Sequence, residues 1–99
     1  MRIEKIGEKE HEKALALVLS VFMQYEAPDY SQHGIKTFRN LIKDKETIDR
    51  LELYGAYKYN EITGVIATRN NGDHIALFFV DSKYHRQGIG RKLFETILN

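Results

Sequence analysis

Arg86-Gln87-Gly88-Ile89-Gly90-Arg91, flanked by Lys83 and Lys92, is the stretch of this chain whose residue types and spacing could do chemistry. Glycines at 88 and 90 allow φ > 0 and let the backbone approach a ligand closely. From Gly88 on, the chain reads as a short amphipathic helix, with Leu93, Ile97 and Leu98 on its inner side and Phe94 beside them. The first N–H groups of such a helix have no internal partner, and its dipole makes that end positive. Lys83 to Lys92 holds four basic residues and no acidic one. Together these features describe an anion site, with phosphate as the natural guest. The plainer alternative is a turn that needs glycine for geometry alone, and a short motif does not decide between them.

Two stricter glycine motifs do not fit. A dinucleotide fingerprint needs G-x-G-x-x-G and an acidic ribose partner further on, but Leu93 stands at the third glycine position and the chain ends first. A nucleotide-triphosphate loop needs Gly-Lys followed by Ser or Thr, whereas Gly90 is followed by Arg91-Lys92.

The loop must be positioned by what precedes it. His74–Val80 has no charge after His74. Ala76, Phe78 and Val80 point one way; Ile75, Leu77 and Phe79 point the other. A strand apolar on both faces is expected to be covered on both, as a central strand. Asp81 and Ser82 end it. Further upstream, Arg2–Ile6 reads as a first strand broken by Gly7. Glu8 to about Tyr25 reads as a helix, with Leu15, Val18, Leu19, Phe22 and Tyr25 along one stripe. Pro28 is expected to stop it and to keep Ala27 out of helical geometry. Ser31 caps a second helix, Gln32 to Ile42, with Ile35, Phe38, Leu41 and Ile42 inward. Glu46–Leu51 reads as a helical turn with Ile48 and Leu51 inward. Leu53–Tyr59 and Ile62–Arg69 read as strands around an Asn60-Glu61 turn, their tyrosines packing across strands. Asn70-Asn71-Gly72-Asp73 is a hairpin turn. The order is β-α-α-β-β-β-α. It predicts an α/β layered domain with a largely antiparallel central sheet, two helices on one face and the glycine-loop helix on the other.

The 99 residues suffice for one domain, residues 1–99. Net charge is +1, so the chain outside the loop region carries −3. Basic charge concentrated at one loop suits a compact phosphorylated ligand and argues against nucleic acid as a partner. The chain has no cysteine, which excludes a disulfide scaffold, a thiolate zinc site and a cysteine nucleophile. No metal is expected. There is no long apolar run, and the N-terminal MRIEKIGEKEHEK is charged throughout, so neither membrane nor secretion is indicated and the cytoplasm is the expected location.

In this context the loop resembles the GNAT acetyltransferase superfamily. The residues that carry the resemblance are Leu77-Phe78-Phe79-Val80, Tyr84 and Arg86-Gln87-Gly88-Ile89-Gly90 running into Arg91-Lys92-Leu93-Phe94. Gly55-Ala56 among tyrosines at 54 and 57, and Gly64-Val65-Ile66, look like the family's second and third strands. In the family's Q/R-x-x-G-x-G/A motif, the first position is held here by His85. The resemblance implies acetyl-CoA as co-substrate and direct acetyl transfer to a primary amine, in a small molecule or a peptide. It implies a binding set of Phe79, Val80, His85, Arg86, Gln87, Gly88, Ile89, Gly90, Arg91 and Lys92. Loop amides would hold the pyrophosphate, and the pantetheine arm would pair with the strand near Phe79 and Val80.

The family domain normally continues with a parallel strand, a further helix and closing strands, and the resemblance therefore implies a truncated version. Its strand His74–Val80 would then be an edge that invites pairing, and a homodimer completing the sheet is one expectation. A non-catalytic acyl-CoA-binding or dimerisation module is the alternative to an N-acetyltransferase. Catalytic candidates are few. Glu26 lies between the first two helices, where the family often shapes its acceptor site, and could serve as base or bind a cationic amine. His74, at the start of the strand, is the second candidate by residue type. Exposure without a role is the plainer reading of both. His11 and His33 are expected at the surface, Tyr25 in the core, and Tyr30 at an acceptor pocket.

Overall fold

The computed structural model describes residues 1–69 and 72–98. Asn70 and Asn71 of the expected hairpin turn, and Asn99, lie outside the described residues. Four strands, β1 (Arg2–Lys5), β2 (Glu52–Lys58), β3 (Glu61–Arg69) and β4 (His74–Val80), form one sheet in the order β1-β2-β3-β4. Every neighbouring pair is antiparallel. The helices are α1 (His11–Val21), α2 (Gln32–Lys43), α3 (Lys45–Asp49) and α4 (Ile89–Leu98).

The sheet is covered as its alternation predicts. On one face, Leu53, Val65, Ala67, Leu77 and Phe79 meet Ala14, Val18 and Phe22 from the first helical run, with Ile42 and Ile48 closing the layer. On the other, Ala56 and Ile66 meet Ile89 and Leu93 of α4. Ser31 caps α2 by accepting from the Gly34 N–H at 3.0 Å, which satisfies one of the helix's orphan donors.

Several expectations are corrected. β4 is not a central strand: it pairs with β3 alone and stands at the edge, as the truncated form of the family domain implies. Its outer residues Ala76 and Phe78 are exposed. Ile75 does not share a face with Leu77 and Phe79. A register shift places Leu77 opposite Ala67 and Ile75 opposite Thr68, leaving Ala76 as an extra residue. The bulge turns Ile75 to the α4 side. The first helix ends differently too. After Val21 it widens into a π-turn, Phe22–Glu26, then tightens into a 3-10 turn, Ala27–Asp29. Ala27 keeps helical angles before Pro28 (φ −54°, ψ −35°), since its burial and the Tyr30 N–H bond to its carbonyl at 3.0 Å hold it there. The wider turn rotates Tyr25 out of the apolar stripe, leaving it exposed. Leu41 and Leu98 are exposed rather than inward, and Tyr59 stands in the β2–β3 turn at φ +53° instead of packing across strands.

Gly64 is what lets α4 rest on β3. A Cβ there would stand 3.0 Å from Leu93 Cδ1 and 3.1 Å from Ile89 Cγ2. Gly64→Val is expected to push α4 off the sheet and cost about 1–3 kcal/mol. Calorimetric melting should show Tm falling by roughly 4–8 °C for each of those kcal/mol; an unchanged Tm would mean that α4 is not seated this closely.

Candidate functional site

The loop between β4 and α4 begins with a 3-10 turn, Ser82–Tyr84. Asp81 starts it by accepting from the Lys83 N–H at 3.0 Å. Tyr84 N–H reaches Asp81 O at 2.9 Å, and His85 N–H reaches Ser82 O at 3.3 Å. Arg86 then takes φ +66° and Gly88 φ +79°. Only the first of the two expected glycines is therefore needed for its backbone angles. Gly90 lies inside α4, and its role is space. A Cβ there would meet the Phe78 ring at 3.6 Å and Val80 Cγ2 at 3.7 Å.

The first helical bond of α4 runs from Lys92 N–H to Gly88 O at 3.1 Å. The amides of Ile89, Gly90 and Arg91 precede that ladder and form the positive end of the helix. Lys92 thus spends its own amide inside the helix and can offer only its ammonium. Arg91 turns along the helix to Glu95, with Nε 3.1 Å from Oε1. Ile89 is buried against the sheet, while Arg86 and Gln87 are exposed. Phe78, Val80, Tyr84, His85, Arg86, Gly88, Ile89 and Gly90 line a groove of about 360 Å³.

The register decides which backbone groups face this groove. Asp81 N–H bonds Thr63 O at 2.8 Å, and hydrogen-bonded pairs alternate along an antiparallel ladder. Phe79 and Leu77, opposite Val65 and Ala67, therefore direct their N–H and C=O into β3. Phe78 and Val80 direct theirs outward, along the open edge. Of the two strand residues expected at the ligand, Val80 presents its backbone there. Phe79 contributes a buried side chain to the opposite layer.

A second groove, of about 310 Å³, adjoins the same edge and shares Phe78 with the first; Glu26, Tyr30, Phe22 and Phe38 line it. Glu26 is half-buried there. His74 is not part of either groove: it is exposed at the far end of β4, about 20 Å from Val80 at the usual rise of a strand. Tyr25 sits beside the loop, its ring 5.4 Å from that of His85. Lys58 Nζ lies 5.5 Å from the Tyr84 ring. Phe78, Tyr84 and Lys58 were not singled out as site residues. Phe78 and Tyr84 had a signal, both being among the residues that carry the family resemblance, whereas Lys58 had none. Tyr54 and Tyr57 have hydroxyls pushed up, first by burial and then by nearby carboxylates, but both lie on β2, away from the edge. Among the described residues, no three His, Cys, Asp or Glu side chains are grouped as metal ligands, and no helix is long and apolar enough to cross a membrane.

An edge strand with outward amides thus leads, through the loop of residues 81–88, to a glycine-capped helix N-terminus over a shallow groove. Residues 26–99 match the acetyltransferase (GNAT) domain family. The chain belongs to the GNAT family. Solved structures share the GNAT fold at low identity. A GCN5-related N-acetyltransferase from Rhodopseudomonas palustris superposes with a TM-score of 0.81 at 16% identity, covering 98% of this chain and 62% of that one. An acetyltransferase named PaiA from Thermoplasma acidophilum, solved in complex with coenzyme A, gives 0.68 at 16% identity, covering 97% and 69%. An aminoglycoside acetyltransferase from an uncultured soil metagenomic sample, in complex with sisomicin, gives 0.58 at 21% identity, covering 96% and 65%. The GNAT chain described here thus spans about three-fifths of the Rhodopseudomonas protein's length. Comparison with curated proteins returned no match.

Proposed function

We propose that residues 1–99 form an acyl-CoA-binding GNAT unit that transfers acetyl from acetyl-CoA to a primary amine, acting in the cytoplasm. The observation that carries this reading is the continuity of the β4 edge with the α4 N-terminus. Outward N–H and C=O groups of Phe78 and Val80 suit an extended amide-bearing arm. The amides of Ile89, Gly90 and Arg91 suit a pyrophosphate, with Lys83, Arg86 and Lys92 exposed around them. The residues present therefore fit coenzyme A. That a coenzyme A complex is known for a protein of the same fold supports the choice of ligand.

Acetyl-CoA supplies an activated thioester. The amine nitrogen bonds the acyl carbon, the carbon–sulfur bond breaks with its electron pair leaving on the coenzyme A sulfur, and the amine's proton passes to a base or to water while the thiolate takes up a proton from solvent. The chain's part is orientation along β4 and hydrogen bonding to the acyl oxygen as charge builds on it. Glu26, in the adjoining groove, is placed to attract a cationic amine before transfer. A small-molecule amine is favoured as acceptor by the size of that groove and by the sisomicin complex of a protein with this fold.

Acetyl-CoA titration by calorimetry, then turnover on a panel of amines, tests the reading. Saturable heat and acetylated product are expected; no heat with acetyl-CoA, coenzyme A or other acyl-CoAs would reject it. The second reading is a non-catalytic acyl-CoA-binding or dimerisation module. What favours it is the position of His74, remote from both grooves, which leaves Glu26 as the one catalytic candidate at the edge. Heat without turnover would select it. A second copy pairing through β4 belongs to the same reading and would compete with the amide arm for the same edge. Sedimentation as a monomer at micromolar concentration would remove the dimer.

A further inference from the structure

We infer that His85 is a positioning residue, holding the loop before α4 in its ligand-ready shape through the Val80 carbonyl. This deepens the acyl-CoA reading of the β4 edge and rests on it. His85 Nε2 lies 2.9 Å from Val80 O. A carbonyl can only accept, so Nε2 carries a proton. The ring's other side rests near Tyr25, at 5.4 Å and a tilt of 40°. His85 therefore ties three parts together: the end of β4, the loop, and the π-turn that follows α1.

The tie matters because of the residue after it. Arg86 stands at φ +66°, a left-handed conformation that a side-chain-bearing residue adopts only under strain. Such a residue persists only where its surroundings hold it. His85, bonded to Val80 O, is the anchor immediately before it, and Gly88, at φ +79°, relieves the backbone two residues later. With the anchor removed, Arg86 relaxes and the amides at the start of α4 lose their aim. The contact also edits the edge itself. Val80 C=O points outward and already accepts from His85, which leaves it one lone pair, while the Val80 N–H stays wholly available to a ligand. An amide-bearing arm is therefore best matched at that point by presenting a carbonyl to the Val80 N–H.

Calorimetry and kinetics on wild type, His85→Ala and His85→Gln test this. The alanine variant is expected to bind acetyl-CoA about tenfold more weakly, equivalent to about 1.4 kcal/mol. Its KM for acetyl-CoA should rise by a similar factor, while kcat and the KM for the amine stay within about twofold. Glutamine, whose amide N–H can donate to Val80 O, should restore most of the affinity. Imidazole nitrogen NMR of the wild type in alkaline buffer should show the Nε2–H tautomer. The Nδ1–H tautomer would overturn the proposal even if the variants did not fold. Wild type that binds while His85→Ala binds equally well would overturn the positioning role alone; wild type that binds no acyl-CoA would overturn the underlying reading and this inference with it.

Discussion

Replacing Gly90 by leucine is expected to weaken acetyl-CoA binding by about a hundredfold or more, close to 2.7 kcal/mol, without lowering Tm. The two halves of that result come from separate features. Gly90 lies inside α4, where leucine is a better helix former by roughly 0.5–1 kcal/mol. A Cβ at 90 would make ordinary contacts, 3.6 Å from the Phe78 ring and 3.7 Å from Val80 Cγ2. Those same side chains line the groove at the end of β4. The leucine would therefore extend over the space in which the ligand must lie. Calorimetric titration and thermal melting on one sample report both effects, and retained affinity would refute the assignment of this groove. The matching change at Gly88 is less informative. At φ +79° any side chain strains the loop, so lost binding there would mix geometry with blockage.

Phe22→Ala is expected to have the largest effect on stability, about 3–5 kcal/mol. Phe22 is 1% exposed. It stacks on Phe38 at 3.9 Å between centroids and 11° between planes, and meets Tyr30 edge-on at 5.1 Å. Truncation removes its own buried area and both aromatic contacts, and leaves a cavity where α1, α2 and β4 converge. The change is a large share of the total for a domain whose whole stability is on the order of 5–15 kcal/mol. Tm should fall by roughly 15–30 °C. Denaturant unfolding is the check, and a loss below about 1 kcal/mol would mean that the aromatic stack does not form. Because Phe22 and Tyr30 also line the groove that holds Glu26, the variant should lose affinity for the amine before it loses affinity for acetyl-CoA.

The layers were legible because their signals are periodic. Val18 and Phe22, Ile35 and Phe38, and the alternation through β3 each report which side must be covered. The loop helix was legible from the glycines and from Leu93. What escaped was every irregularity that breaks a period. The bulge at Ala76 turns Ile75 to the other face, and nothing in HIALFFV marks it. The π-turn at Phe22–Glu26 moves Tyr25 from the stripe to the loop, although its spacing from Phe22 is that of a buried helix face. The doubly apolar β4 suggested a covered central strand, but an edge strand can have the same composition. The two glycines read alike in sequence, yet one supplies a backbone angle and the other supplies room. Chemistry was the least legible. Glu26 reaches the second groove through a turn that no motif announces, and His74 starts the strand at the end away from both grooves.

The bulge at Ala76 and the His85–Val80 bond bear on how the protein keeps itself from stacking. A long, flat, apolar edge is a template onto which further strands can add without limit, as in fibrils. Here the template is cut at both ends. The bulge breaks its register at Ala76, and the imidazole occupies an outward carbonyl at Val80. Between them, Phe78 keeps both backbone groups turned out, a short stretch on which one guest or one partner strand can pair without templating a growing stack.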